Sequence, residues 1–236
     1  MSFVKGGLKD LSISRSTFDW GVPLPFDDGH VAYVWADALL SYLTGIGYGD
    51  PERAEDFEKF WPMQYHFVGK DIIRFHCVIW PAMLMAAGLP QPKCIFGHGF
   101  LLTKGEKMSK SKGNAVSPDD IVAAFGLDAY RYYFMSDVQF GADGSISLER
   151  MIQVYNADLA NTWGNLVSRV FNMTNKYFEG KVPEVSVEAE NPMREIAEGL
   201  FDKYDKAMEN VDFTAATQAA LELAQRVNLY VEETEP

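Results

Sequence analysis

The sequence predicts a parallel α/β fold that gives way to an all-α bundle. Three observations carry this. Short runs rich in β-branched and aromatic residues alternate with helix-length amphipathic segments in the first part of the chain. A loop of lysine, serine and glycine, "TKGEKMSKSKGNAVSPDDI" at 103–121, ends that alternation. From about residue 148, apolar residues recur at steps of three and four.

Each element follows from local chemistry. Residues 19–29, "DWGVPLPFDDG", are rich in Pro, Gly and Asp and read as loop. "HVAYVW" (30–35) reads as a buried strand, and "DALLSYLTGIG" as a helix closed by glycine. "YHFVGK" (65–70) is a second strand. "DIIRFHCVIWPAMLMAAG" (71–88) is a helix bent at Pro81 and stopped by Gly88. "KCIFGHGFLL" (93–102) is a third strand, interrupted by Gly97 and Gly99. Ser117 is placed to cap a helix with Pro118 at its first position and Asp119 and Asp120 at its positive end. That helix ends at Gly126, a second starts near Asp128, and Ser147 caps a third. Leu159, Trp163, Leu166, Val170, Met173 and Tyr177 form an apolar stripe, beside a polar one of Asp158, Asn161, Asn165, Arg169 and Asn172. Two further helices span roughly 193–210 and 213–232, completing a small bundle.

Composition narrows the function classes. Apolar content of 47% supports a sizeable core and excludes a disordered chain. No apolar run approaches the roughly 18 residues of a membrane span, and the first residues lack a signal-peptide pattern. Cys77 and Cys94 form no C-x-x-C pair, so neither a disulfide framework nor a zinc site is expected, and the cytoplasm is the expected compartment. Residues 181–236 carry 13 acidic and 5 basic side chains, so most of the net charge of −12 lies there. That balance argues against nonspecific nucleic-acid binding but leaves room for a local basic patch.

Such a patch is the loop itself, where Lys104, Lys107, Lys110 and Lys112 crowd together. An ammonium on a flexible stem suits a transient phosphate partner. Gly105 and Gly113 let the loop move, and Ser109 and Ser111 add hydroxyl donors. Placed between a strand and a helix, it suits a triphosphate and the charge that develops in nucleotidyl transfer. The alternative is an ordinary solvated loop.

"KMSKS" at 107–111 is the signature of class I aminoacyl-tRNA synthetases. "YVWADALLSY" (33–42), "HFVGKDIIRFH" (66–76), "GHGFLLTKGEKMSKSKGN" (97–114) and "NADLANTWGNLVSRV" (156–170) resemble blocks of the methionyl-tRNA synthetase family. The resemblance covers essentially the whole chain. It implies the second half of a Rossmann-like catalytic domain with the lysine loop at 1–115, a linking stem-contact region at 116–146, and a truncated anticodon-binding domain at 147–236.

The family activates methionine with ATP and Mg²⁺ and transfers it to tRNA(Met). By resemblance Lys110, supported by Lys107, stabilises the phosphates, while Lys104 and Lys112 read as solvated. Trp35, Ala38, Leu39, Tyr42, Ile72 and His76 match the methionine pocket. Their spacing is compatible with shared helix faces, and equally with an aromatic core. Gly69, Asp71 and His98 match ATP-binding positions. Asp71 could instead cap its helix, and His98 could be a satisfied strand-end residue. His66 is expected to pack and His30 to be exposed. Asn165 and Arg169 match anticodon-facing positions, or a solvated helix face. Planar amide and guanidinium groups suit splayed bases.

Two family elements are absent: the His-Ile-Gly-His motif and the cysteine-rich zinc knuckle. The resemblance therefore implies the C-terminal part of a longer synthetase, expected to be inactive alone and prone to self-association through an exposed sheet edge and apolar face. A noncatalytic tRNA-binding paralogue and another class I synthetase, such as that for leucine or cysteine, are the competing readings.

Overall fold

The computed structural model describes residues 2–103, 105–108, 117–184 and 191–235, and the chain divides into two compact units between His98 and Gly99.

In the first unit, a short helix α1 (Ser2–Lys5) precedes β1 (Ser14–Arg15), β2 (Pro23–Leu24) and β3 (Asp27–Ala32). These form an antiparallel sheet in the order β1-β3-β2. The region expected to be loop thus supplies an edge strand, a position that tolerates Pro23. β3 also differs from expectation. It is not part of a parallel sheet, and the chain turns into helix α2 (Val34–Thr44) before "HVAYVW" ends. The turn is made at Tyr33, whose carbonyl accepts from the amides of Ala36 and Asp37 at 2.8 and 3.2 Å. Helix α3 (Ala54–Phe60) follows.

β4 (Tyr65–Gly69) and β5 (Cys94–His98) form the parallel pair, in register from Tyr65 opposite Cys94 to Gly69 opposite His98. Their crossover is not the one bent helix the sequence suggests. It comprises a 3₁₀ turn (Lys70–Ile72), wide π-helical turns (Phe75–Ile79) and α4 (Trp80–Ala86). Pro81 sits in the first turn of α4, where its missing N–H costs least. Gly88, at φ 68°, ends the segment, and the amide of Leu89 returns to the Leu84 carbonyl at 2.9 Å. Leu39, Leu43, Trp61, Trp80 and Leu84 form the core of this unit.

The expected third strand is split. β5 stops at His98, and β6 (Leu101–Thr103) belongs to the second unit. The break falls at Gly99, where a Cβ would overlap the Ala142 carbonyl. β6 pairs antiparallel with β7 (Glu106–Lys107) and parallel with β8 (Gly144–Ser145). The start of the lysine loop is therefore a hairpin, with Gly105 at φ 78° between its strands.

Helices α5 (Pro118–Phe125) and α6 (Leu127–Ser136) follow as expected, except that the Ser117 hydroxyl makes no capping bond. Ser147 does cap α7 (Leu148–Val154), accepting from the Arg150 amide at 3.1 Å. Wide π-helical turns (Tyr155–Gly164) lead into α8 (Asn165–Phe178). Helices α9 (Arg194–Glu209) and α10 (Phe213–Thr234) complete the unit. α10 buries Ala216, Ala219, Leu221 and Ala224 and packs against α9, α6 and the π-helical turns. Between α9 and α10, Val211 is buried at φ 59°, a left-handed conformation that a β-branched residue rarely adopts. The apolar stripe is only partly covered: Leu159, Leu166 and Met173 are half-buried, whereas Trp163, Val170 and Tyr177 are exposed. Helical periodicity reports a face; its cover comes from elsewhere in the chain, and α10 packs mainly on elements other than α8.

No helix among the described residues is long and apolar enough to cross a membrane.

Candidate functional site

The first unit gathers most of the sequence-predicted site residues around two elements. α2 supplies Trp35, Ala38, Leu39 and Tyr42, and the crossover after β4 supplies Ile72 and His76. The Tyr42 hydroxyl lies 3.0 Å from His76 Nε2, and His76 Nδ1 lies 3.0 Å from the Ile72 carbonyl oxygen. A carbonyl only accepts, so Nδ1 carries the proton and, in the neutral ring, Nε2 accepts from Tyr42. This chain of two hydrogen bonds joins three candidate residues and fixes the imidazole of a residue that is 0% exposed. Burial pushes the Tyr42 phenol up from its ordinary value, so it remains a neutral O–H.

Trp35 stacks flat on Phe75, with ring centroids 4.2 Å apart, and meets His76 edge-on at 6.0 Å. Ala38 and Ile72 are half-buried. The result is an aromatic wall with a single hydrogen-bonded polar pair, a chemistry suited to an apolar, polarisable side chain. Leu39 lies in the core against which Trp35 and Tyr42 pack. It is 0% exposed, as His76 is, and it belongs to the core with Leu43, Trp61, Trp80 and Leu84. It is four residues after Trp35 and three before Tyr42, on the face of α2 that they share.

Sequence reasoning did not single out Phe75, and of His66 it expected only that it packs. The aromatic at 75 lies between Ile72 and His76 in the same block, which is the signal for it. His66 is 5% exposed, with its ring centroid 4.3 Å from Tyr42 and 5.0 Å from His76, both nearly perpendicular. Burial, and then the neighbouring His76, lower its pKa to about 4.

Gly69, Asp71 and His98 meet at the carboxyl end of the parallel pair, where α/β folds bind ligands. Gly69 stands directly opposite His98 in the register. A Cβ at Gly69 would meet the Asp71 carboxylate and one at Gly97 the Ile73 side chain, so a larger residue at either position would displace that neighbour. Asp71 lies in the 3₁₀ turn just beyond Gly69.

Other predicted residues lie elsewhere. Lys110, with Lys104 and Lys112, falls outside the described residues. Lys107 is placed by its backbone alone, at the end of β7 opposite Leu102. Asn165 and Arg169 stand one turn apart on α8, the first exposed and the second half-buried. His30 is half-buried, with Nδ1 2.9 Å from Ser14 Oγ and 3.6 Å from the Asp27 carboxylate. Both partners address the same ring nitrogen, which is not the arrangement of a nucleophilic triad. Among the described residues, no group of three His, Cys, Asp or Glu side chains could hold a metal ion.

A parallel strand pair joined by a helical crossover, a KMSKS sequence after β6 and a following set of helices together are the features of a class I tRNA synthetase. The family model "tRNA synthetases class I (M)" matches residues 1–171. The methionine–tRNA ligase of Caldanaerobacter subterraneus subsp. tengcongensis is 50% identical over all of this chain, and that of Bacillus subtilis 48%. The chain spans 37% and 36% of those two relatives. A solved Mycobacterium tuberculosis methionyl-tRNA synthetase in complex with methionyl-adenylate superposes with a TM-score of 0.91 at 45% identity, covering all of this chain and 46% of that one. The chain belongs to the methionine-type class I tRNA synthetases.

Proposed function

We propose that this chain is the C-terminal part of the catalytic region of a cytoplasmic methionine–tRNA ligase together with the start of its anticodon-binding helices. The observation that carries the proposal is the match of the whole chain to methionine–tRNA ligases, at up to 50% identity. In this reading residues 1–115 complete the nucleotide-binding domain, 116–146 link it to the helices, and 147–236 begin the anticodon-binding domain. Trp35, Ala38, Tyr42, Ile72 and His76 hold the methionine side chain, with Phe75 stacked behind Trp35. Leu39 supports them from the core.

The reaction is attack of the methionine carboxylate on the α-phosphorus of ATP, which releases pyrophosphate and leaves methionyl-adenylate. The carboxylate is itself the nucleophile, so no general base or covalent enzyme intermediate is required. Catalysis then rests on positioning and on stabilising phosphate charge. Gly69 and His98 border the adenosine, and Asp71 accepts from the ribose. Lys110, supported by Lys107, stabilises the phosphates. Mg²⁺ enters with the ATP as part of the substrate. Transfer to tRNA(Met) follows, with Asn165 and Arg169 facing anticodon bases.

The test is methionine-dependent ATP–pyrophosphate exchange, on this chain and on its complete reading frame, each with Lys110→Ala. Activity only in the complete protein, lowered by roughly a hundredfold or more in the variant, is the expected result. A complete protein that exchanges with leucine or cysteine instead of methionine would move the assignment to another class I synthetase. No exchange with any amino acid, with tRNA binding retained, would favour a noncatalytic paralogue.

A further inference from the structure

His66 is a buried titratable group that the proposed reaction does not use. It lies on the inward side of β4, between exposed Tyr65 and exposed Phe67. Neither ring nitrogen has a hydrogen-bond partner among the described residues. Leaving a buried N–H and a buried ring nitrogen unpaired is unfavourable, and a residue serving only as filler there would be aliphatic or a phenyl ring. What His66 does have is two perpendicular ring contacts, at 4.3 Å to Tyr42 on α2 and at 5.0 Å to His76 on the crossover. These are the two members of the hydrogen bond that supplies the polar element of the candidate pocket.

Geometry links the contacts to that bond. The His76 ring is held at Nδ1 by the Ile72 carbonyl, which leaves rotation of Tyr42 and tilt of His76 as the freedoms that could break the 3.0 Å contact. A perpendicular ring pressed against both restricts each of them. Edge-to-face packing of this kind has a preferred geometry that an aliphatic side chain of equal volume lacks.

We propose that His66 is a positioning residue of the methionine pocket: wedged edge-on between Tyr42 and His76, it holds them in the orientation in which Tyr42 donates to His76 Nε2. The proposal deepens the methionine–tRNA ligase reading and rests on it for the identity of the ligand. The positioning itself can be tested without that reading.

His66→Phe keeps a ring and removes the nitrogens; His66→Leu keeps volume and removes the ring. Long-range ¹H–¹⁵N spectra of the imidazoles read the His76 tautomer in this chain. Wild type and His66→Phe are expected to show His76 protonated at Nδ1 alone. In His66→Leu, mixed tautomers are expected. In the complete protein, His66→Leu should raise KM for methionine roughly tenfold with little change in kcat, and His66→Phe should restore it. Retention of the pure Nδ1 tautomer and of the wild-type KM in a folded His66→Leu protein would overturn the proposal. If the tautomer changes as expected but wild-type protein shows no methionine-dependent exchange, positioning stands and the ligand assignment fails.

Discussion

At the residue scale, the most informative side chains are those whose chemistry is set by neighbours distant in sequence. Tyr42 and His76 are 34 positions apart and share a hydrogen bond of 3.0 Å. Removing the phenol oxygen in Tyr42→Phe leaves a buried imidazole nitrogen unpaired. It should cost about 1–3 kcal/mol of stability, read from urea unfolding. His66 gives a pH prediction. Its pKa is lowered from 6.5 to about 4 in the folded protein, so the unfolded chain binds more protons between those values. Stability from this group is therefore complete above the unfolded value and is lost as pH falls from 6.5 toward about 4. The full effect is about 3 kcal/mol, and Tyr42 and His76 are the titratable groups facing the ring. Unfolding free energies measured across that range should flatten in His66→Phe. An unchanged slope would assign the pH dependence to other groups. The types and spacing of Trp35, Tyr42 and His76 were legible in the sequence. The role of His66 was not, because only the fold brings β4 against α2.

At the element scale, capping and breaking residues act where local chemistry says they should, unless tertiary contacts intervene. Ser147 accepts from the Arg150 amide, so Ser147→Ala should lower stability by about 1 kcal/mol in chemical denaturation. Ser117 stands at an equivalent position without that bond, and Ser117→Ala should change stability by only a few tenths of that. The pair separates a cap read from sequence from one realised in space. The π-helical turns at Tyr155–Gly164 escaped the sequence reading because their apolar residues fit the same helical period. A cross-helix contact anchors them, with the Tyr132 hydroxyl donating to Asp158 at 3.0 Å. Burial, then the bond to Asp158, pushes the Tyr132 phenol up. Tyr132→Phe should cost about 1–2 kcal/mol and loosen amide exchange protection in those turns first.

At the scale of the whole molecule, the first unit carries an apolar surface that an isolated water-soluble domain would not keep. Phe18, Trp20, Val22 and Val34 are all exposed around one hollow of about 930 Å³, with Trp20 87% exposed. Contiguous apolar surface of this kind associates, whereas scattered apolar residues do not. Sedimentation velocity on this chain should show concentration-dependent association that Trp20→Ser weakens. A monomer at all concentrations would contradict the expectation. The sequence by itself determined the class of fold, the KMSKS loop, the helix-forming segments and the residue types of the pocket, because these depend on composition and on periodicity within a few turns of chain. Tertiary structure decided the rest. It broke the third strand at Gly99, where the backbone of Ala142 leaves no room for a side chain. It drew Leu39 into the core and left part of the α8 stripe uncovered. It also stood His66 against Tyr42 and His76. Each of these depends on which surfaces meet across long stretches of chain, and a pattern confined to one element cannot encode its partner.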